Sequence, residues 1–151
     1  MRISTKGRYA ARAMVEMAAS YGARHVPASE IAEKQGISLK YLESLLARLK
    51  SVGLIVSVRG KHGGYSLARH PSEINMWEVL ICLEDSLDIV HCTDDPNCCD
   101  RLDVCVTRDL WAELKASTER ILRRTYLDDL MKRQKILKRR KLEQDSGQKP
   151  N

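Results

Sequence analysis

The chain has 151 residues, 43% hydrophobic and 5% aromatic, with a formal charge of +6. That length supports one sizeable core, or a small domain with an extension. No apolar run approaches the ~20 residues of a membrane-spanning helix, and Arg, Lys and Glu interrupt the first twenty residues, so neither anchor nor signal peptide is expected and the chain is placed in the cytoplasm.

The charge is segregated. Residues 1–70 carry 12 Lys+Arg against 4 Asp+Glu, residues 71–111 carry 2 against 10, and residues 112–151 carry 12 against 6. A head this basic implies a polyanionic partner, and the acidic middle is kept off it.

Residues 4–21 set Tyr9, Ala13, Met14, Met17, Ala18 and Tyr21 at the spacing of one helical face. Arg2, Lys6, Arg8 and Arg12 at its start suit the helix N-terminus to a phosphate. ASEIAEKQ then predicts a short helix stopped by Gly36, with Ser38 capping the next. Over 39–52, Leu39, Leu42, Leu45, Leu46, Leu49 and Val52 share one face, and Lys40, Tyr41, Glu43 and Ser44 lie on the other. Two helices joined by so short a turn make a helix-turn-helix whose second helix can enter a major groove. Leu54–Val58, RGKHGG and YSLA predict a hairpin with a basic, glycine-rich tip: a wing, with Arg59 suited to a narrow minor groove. A protein-docking module would need none of this charge.

Pro71 marks a boundary. Asn75 and Glu78 have capping-box spacing, Ile74 can staple on Val79, and Cys82 in the following apolar helix is expected to pack as a small hydrophobe. Between His91 and Cys105 lie Cys92, Cys98, Cys99 and Cys105, four of five cysteines. Thiolates there suit an iron-sulfur cluster, a redox switch or zinc, although zinc sites favour pairs two to four residues apart. Thr107 is the expected cap of a long helix whose stripe, Leu110, Trp111, Leu114, Thr118, Ile121 and Leu122, faces a second subunit or packs back on the head. Thr125 restarts a helix that should fray past about residue 140. No catalytic triad or phosphate-binding glycine loop is present, and no enzyme is expected.

MRISTKGRYA, IAEKQGISLKYLESLLARLKSVGLI, VRGKHGGYSLA and the cysteine-to-CVTRDLW junction resemble one family, the winged-helix transcription regulators that include IscR, NsrR and CymR. The resemblance spans residues 1 to about 135. It implies a mainly α fold with a small β wing: a winged helix-turn-helix head over 1–85, a cluster loop over 86–106, a dimerisation helix and C-terminal helix over 107–140 and a tail over 141–151. It implies a homodimeric repressor on a two-fold DNA operator, with Lys40, Tyr41, Glu43 and Ser44 on the reading helix, Arg59 on the wing, and Arg2 joining them at the N-terminus. Three loop cysteines of cluster-binding members hold a 2Fe-2S or 4Fe-4S cluster. The family's five-residue gap selects Cys99 with Cys105, and Cys92 completes the set. Cys98, His91, Asp109 or the other subunit supplies a fourth ligand, because the family's histidine position holds Arg108 and its N-terminal aspartate position holds Arg8. A guanidinium cannot ligate iron. Two other functions remain: a cluster-free regulator of the same fold, using thiols, zinc or a partner protein, and a small iron-sulfur redox protein.

Overall fold

The computed structural model describes residues 3–84, 87, 90–93, 95 and 97–147. Helix α1 (Thr5–Ala19) begins where the Ser4 hydroxyl accepts the Gly7 N–H at 3.2 Å, and it buries Ala10, Ala13, Met14 and Met17. Helix α2 (Ala28–Gln35) ends at Gly36, whose φ of 64° is the left-handed conformation that releases a helix. Ser38 then caps α3 (Leu39–Ser51), accepting the Tyr41 N–H at 3.2 Å. Leu42, Leu45, Leu46 and Leu49 are buried as their spacing predicts. Leu39 and Val52 are not, because they overhang the core at the two ends of the helix.

Strands β1 (Ile55–Val58) and β2 (Gly64–Leu67) pair antiparallel, Ile55 opposite Leu67 and Val58 opposite Gly64. A third edge comes from Val26, which exchanges 2.8 Å backbone hydrogen bonds with Tyr65. One residue has no alternation, so the sequence offered no sign of it. Gly64 makes the approach possible: at φ +148° its missing Cβ would stand 2.6 Å from the Val26 carbonyl.

A 3-10 turn (Pro71–Glu73) leads into α4 (Met76–Ile81). Asn75 caps α4 by accepting the Glu78 N–H at 3.1 Å, while Glu78 returns to the Asn75 side-chain amide at 2.9 Å. Ile74 and Val79 are both fully buried.

Helix α5 (Val106–Arg124) starts two residues earlier than a Thr107 cap predicts, with Cys105 at the cap position. Helix α6 (Leu127–Gly147) starts after Thr125, whose hydroxyl closes α5 by donating to the Ile121 carbonyl at 2.8 Å. The corner is sewn to the head: Met76 N–H donates to Thr125 at 2.9 Å, and Leu127 N–H to Ile74 at 3.0 Å. Leu127 is therefore fully buried in the common core, and α6 runs back along α1. It stays helical to Gly147, past the expected fraying point, with Arg139 3.7 Å from Glu143. Among the described residues no helix is long and apolar enough to cross a membrane.

Candidate nucleic-acid interface and cysteine loop

The first turns of α3 present Lys40, Glu43 and Ser44 to solvent, as the sequence predicts for a reading helix. Ser44 already donates to the Tyr41 carbonyl at 2.7 Å. Tyr41 differs from its neighbours. Its half-buried ring meets Tyr9 edge-on, centroids 6.2 Å apart, and Arg12 covers Tyr9 at 5.7 Å. This aromatic contact fixes α3 on α1 and sets the angle at which Lys40 and Glu43 project. At the other end, Lys50 donates to the Ser57 hydroxyl at 2.6 Å and braces the wing against α3. Arg59, Lys61 and His62 are exposed at the wing tip, which Gly63 closes by donating to Gly60 at 2.9 Å. Arg2 lies outside the described residues.

One sequence expectation changes. The start of α1 does not offer its N–H groups to an external phosphate, because Glu84 occupies it. Its carboxylate accepts the Ser4 N–H at 3.0 Å and the Ser4 hydroxyl at 2.8 Å. An anion belongs at a helix N-terminus, and here the chain supplies its own. A Cβ on Gly7 would collide with the same carboxylate oxygen. Nothing in the sequence pairs residues 80 positions apart. The clasp joins the end of the α4 segment, immediately ahead of the cysteine loop, to the head's first helix.

All five cysteines are free. Cys82 is half-buried and donates to the Val79 carbonyl at 3.2 Å, the packing role expected of it. Cys92 sits half-buried in the turn His91–Thr93, and Cys98 and Cys99 are exposed. Desolvation, then the negative neighbours Cys92, Asp95 and Cys99, push the Cys98 thiol up. Cys105 behaves oppositely at the start of α5. The Thr107 hydroxyl, 3.3 Å from Sγ, and the Thr107 amide hold this thiol below the ordinary cysteine range, aided by the Arg108 amide and guanidinium. Arg108 thus acts on the sulfur electrostatically. Asp109, in the same first turn, is exposed. Among the described residues no three His, Cys, Asp or Glu side chains are gathered for a metal. The donors suit a cluster chemically, but Cys92, Cys98, Cys99 and Cys105 are not brought into one set.

Helix α5 buries no residue. Leu110 is 49% exposed, Leu114 40% and Ile121 65%, while Trp111 is half-buried. The far edge packs inward through Leu122, and Arg123 covers the Trp77 ring at 4.9 Å. The predicted stripe is therefore split between the head and an uncovered face.

A three-helix head with a capped reading helix and a braced, basic wing defines a winged helix-turn-helix DNA-binding transcription regulator. The chain belongs to the Rrf2 family, described as iron-dependent transcriptional regulators, whose model matches residues 3–133. It is 40% identical over 137 residues to the HTH-type transcriptional regulator IscR of Escherichia coli, covering 91% of this chain and 84% of that protein. Among solved structures it is similar to CymR, the global cysteine regulator of B. subtilis, at a TM-score of 0.75 and 31% identity over 87% of this chain and 97% of that one. T. potens IscR aligns with a TM-score of 0.71 and 38% identity over 87% of each chain. These relatives are named transcriptional regulators, not enzymes.

Proposed function

We propose that the protein is a cytoplasmic homodimeric repressor whose operator affinity is set by an iron-sulfur cluster in the cysteine loop. The observation that carries this reading is the position of the loop between two anchors. Glu84 clasps the start of α1 on one side, and on the other Cys105 caps α5, the helix with an uncovered apolar face. Cys92, Cys99 and Cys105 would hold the cluster, with Cys98 as an alternative or fourth ligand. When bound, the cluster supplies an iron site open to small oxidants.

The chain's own residues do the rest. Drawing Cys105 toward Cys92 shortens the path between α5 and the Glu84 clasp, so loading biases the heads only by its differential affinity for their DNA-competent arrangement. Leu110, Trp111, Leu114 and Ile121 pack on the same helix of a second copy, placing two heads on one duplex. Lys40, Glu43, Ser44 and Arg59 read the bases, with Tyr41 holding the helix and Arg2 adding a cation at the N-terminus. Thr107 and Arg108 favour the thiolate form of Cys105.

Anaerobically purified protein should show visible charge-transfer absorption that Cys105→Ser abolishes. A colourless, metal-free wild type would sink the cluster reading. A thiol switch through the exposed, adjacent Cys98 and Cys99 is the second reading, favoured by those two being free and solvent-facing. In that case DNA binding follows oxidant in metal-free protein.

A further inference from the structure

Helix α6 carries a basic segment that the head does not use. Residues 132–141, KRQKILKRRK, hold seven Lys and Arg and no acid, and the family match ends at residue 133, so most of this run lies beyond it. Lys132 pairs with Asp128 at 2.6 Å, Lys138 with Glu16 at 3.3 Å and Arg139 with Glu143 at 3.7 Å. Arg133, Lys135, Arg140 and Lys141 are exposed and pair with no acid among the described residues. Arg133 and Arg140, seven residues apart, share one face of the helix, and Lys135 and Arg139 share another.

The run is not a loose tail. Glu16 on α1 is only 8% exposed at its side chain and accepts from Gln134 at 3.1 Å and Lys138 at 3.3 Å of α6, and from Lys34 of α2 at 3.3 Å. Lys34 lies four residues before Ser38, the cap of α3. One buried carboxylate therefore fixes the cationic stretch against the helix-turn-helix itself, and its charges move with the reading head.

We infer that the α6 run is a second, sequence-independent DNA contact that grips duplex phosphates beside the bases read by α3 and the wing. Charge complementarity selects the occupant. The four exposed cations that pair with no acid among the described residues suit a dense polyanion, and the duplex already held by the same rigid head supplies one at no extra cost of association. An acidic protein partner would have to pay that cost separately.

The test compares two charge-matched pairs in the full chain. Lys135→Gln with Arg140→Gln removes exposed α6 cations, and Lys115→Gln with Arg123→Gln removes α5 cations that lie off the Leu110, Leu114 and Ile121 face. Glutamine keeps helix propensity in both. Binding to a random-sequence duplex of about 30 base pairs, a length several helical turns long, is followed by fluorescence anisotropy across a KCl series. The α6 pair should weaken binding at least about tenfold at low salt and lower the slope of log K on log salt by about 0.9 per lost phosphate contact, hence about 2–4 for a dimer. The α5 pair should change neither by a comparable amount. Equal losses in both pairs would reduce the effect to net charge, and an unchanged slope in the α6 pair would place the run on another partner; either overturns the inference. If the wild type itself bound no duplex, DNA binding would fail instead, so the two failures are distinguishable.

Discussion

Single atoms decide three properties of the head. Gly64→Ala puts a methyl against the Val26 backbone at a φ of +148°, where no side chain sits comfortably. The substitution should cost about 1–3 kcal/mol and lower the thermal midpoint; an unchanged melt would mean that the Val26 edge is dispensable. Arg59 stands exposed on the wing. Arg59→Ala should weaken binding to a cognate operator more than to random duplex, whereas an equal loss on both would reduce it to a phosphate contact. Glu30 sets an acid limit. It accepts Arg24 in two bonds, at 2.7 and 2.6 Å, and Lys34 at 2.9 Å, which together hold its carboxyl down at about 2 against an ordinary 4.5. The folded value is the lower one, so this stabilisation is complete above pH 4.5 and drains away as pH falls from there toward 2. The cluster is partly solvated, so its worth stays under about 1 kcal/mol. Glu30→Gln should flatten the stability curve in that window, and a parallel shift at all pH values would contradict the assignment.

At the scale of elements, α6 is held to the head by the Glu16 node and by Leu127. Burial pushes the Glu16 carboxyl up, but hydrogen bonds and charge from Lys138 and Lys34 outweigh it and leave the group below its ordinary range. Glu16→Gln should cost about 1–2 kcal/mol and raise hydrogen exchange in α6 before the rest of the chain; uniform exchange would show that Leu127 alone docks the helix. The Glu16 node could not be foreseen. Periodicity and caps place α2, α3 and α4 almost to the residue, because Gly36, Ser38 and Asn75 act on neighbours within four positions. Glu16 with Lys138, and Ser4 with Glu84, join residues 122 and 80 positions apart, and a charge in a sequence does not name its partner. The start of α5 was misjudged for a related reason. Thr107 has the better capping side chain, yet the chain turns at Cys105, and the Thr107 hydroxyl faces that sulfur instead. The exposure of Lys40, Glu43, Ser44 and Arg59 on α3 and the wing was legible because each follows a local signal, a helix cap or a glycine-rich turn. The assembly of the cysteines was not, since their spacing names donors without naming a geometry.

In the whole molecule, α5 carries an uncovered apolar face, and the cysteine loop precedes it in the chain, after the basic head. Leu114→Glu with Ile121→Glu should leave the head folded but shift sedimentation to a monomer and weaken operator binding by orders of magnitude; a dimer that survives both would move the interface elsewhere. Regulation then depends on whether the loop's occupancy reaches α3 and the wing. The direct measurement is anaerobic binding of one operator duplex, at one salt concentration, by cluster-loaded protein and by the same preparation stripped of its cluster. Coupling of the usual size predicts affinities that differ by about 5- to 150-fold. Equal affinities for the two forms would contradict control of this DNA-binding head by its cysteine loop.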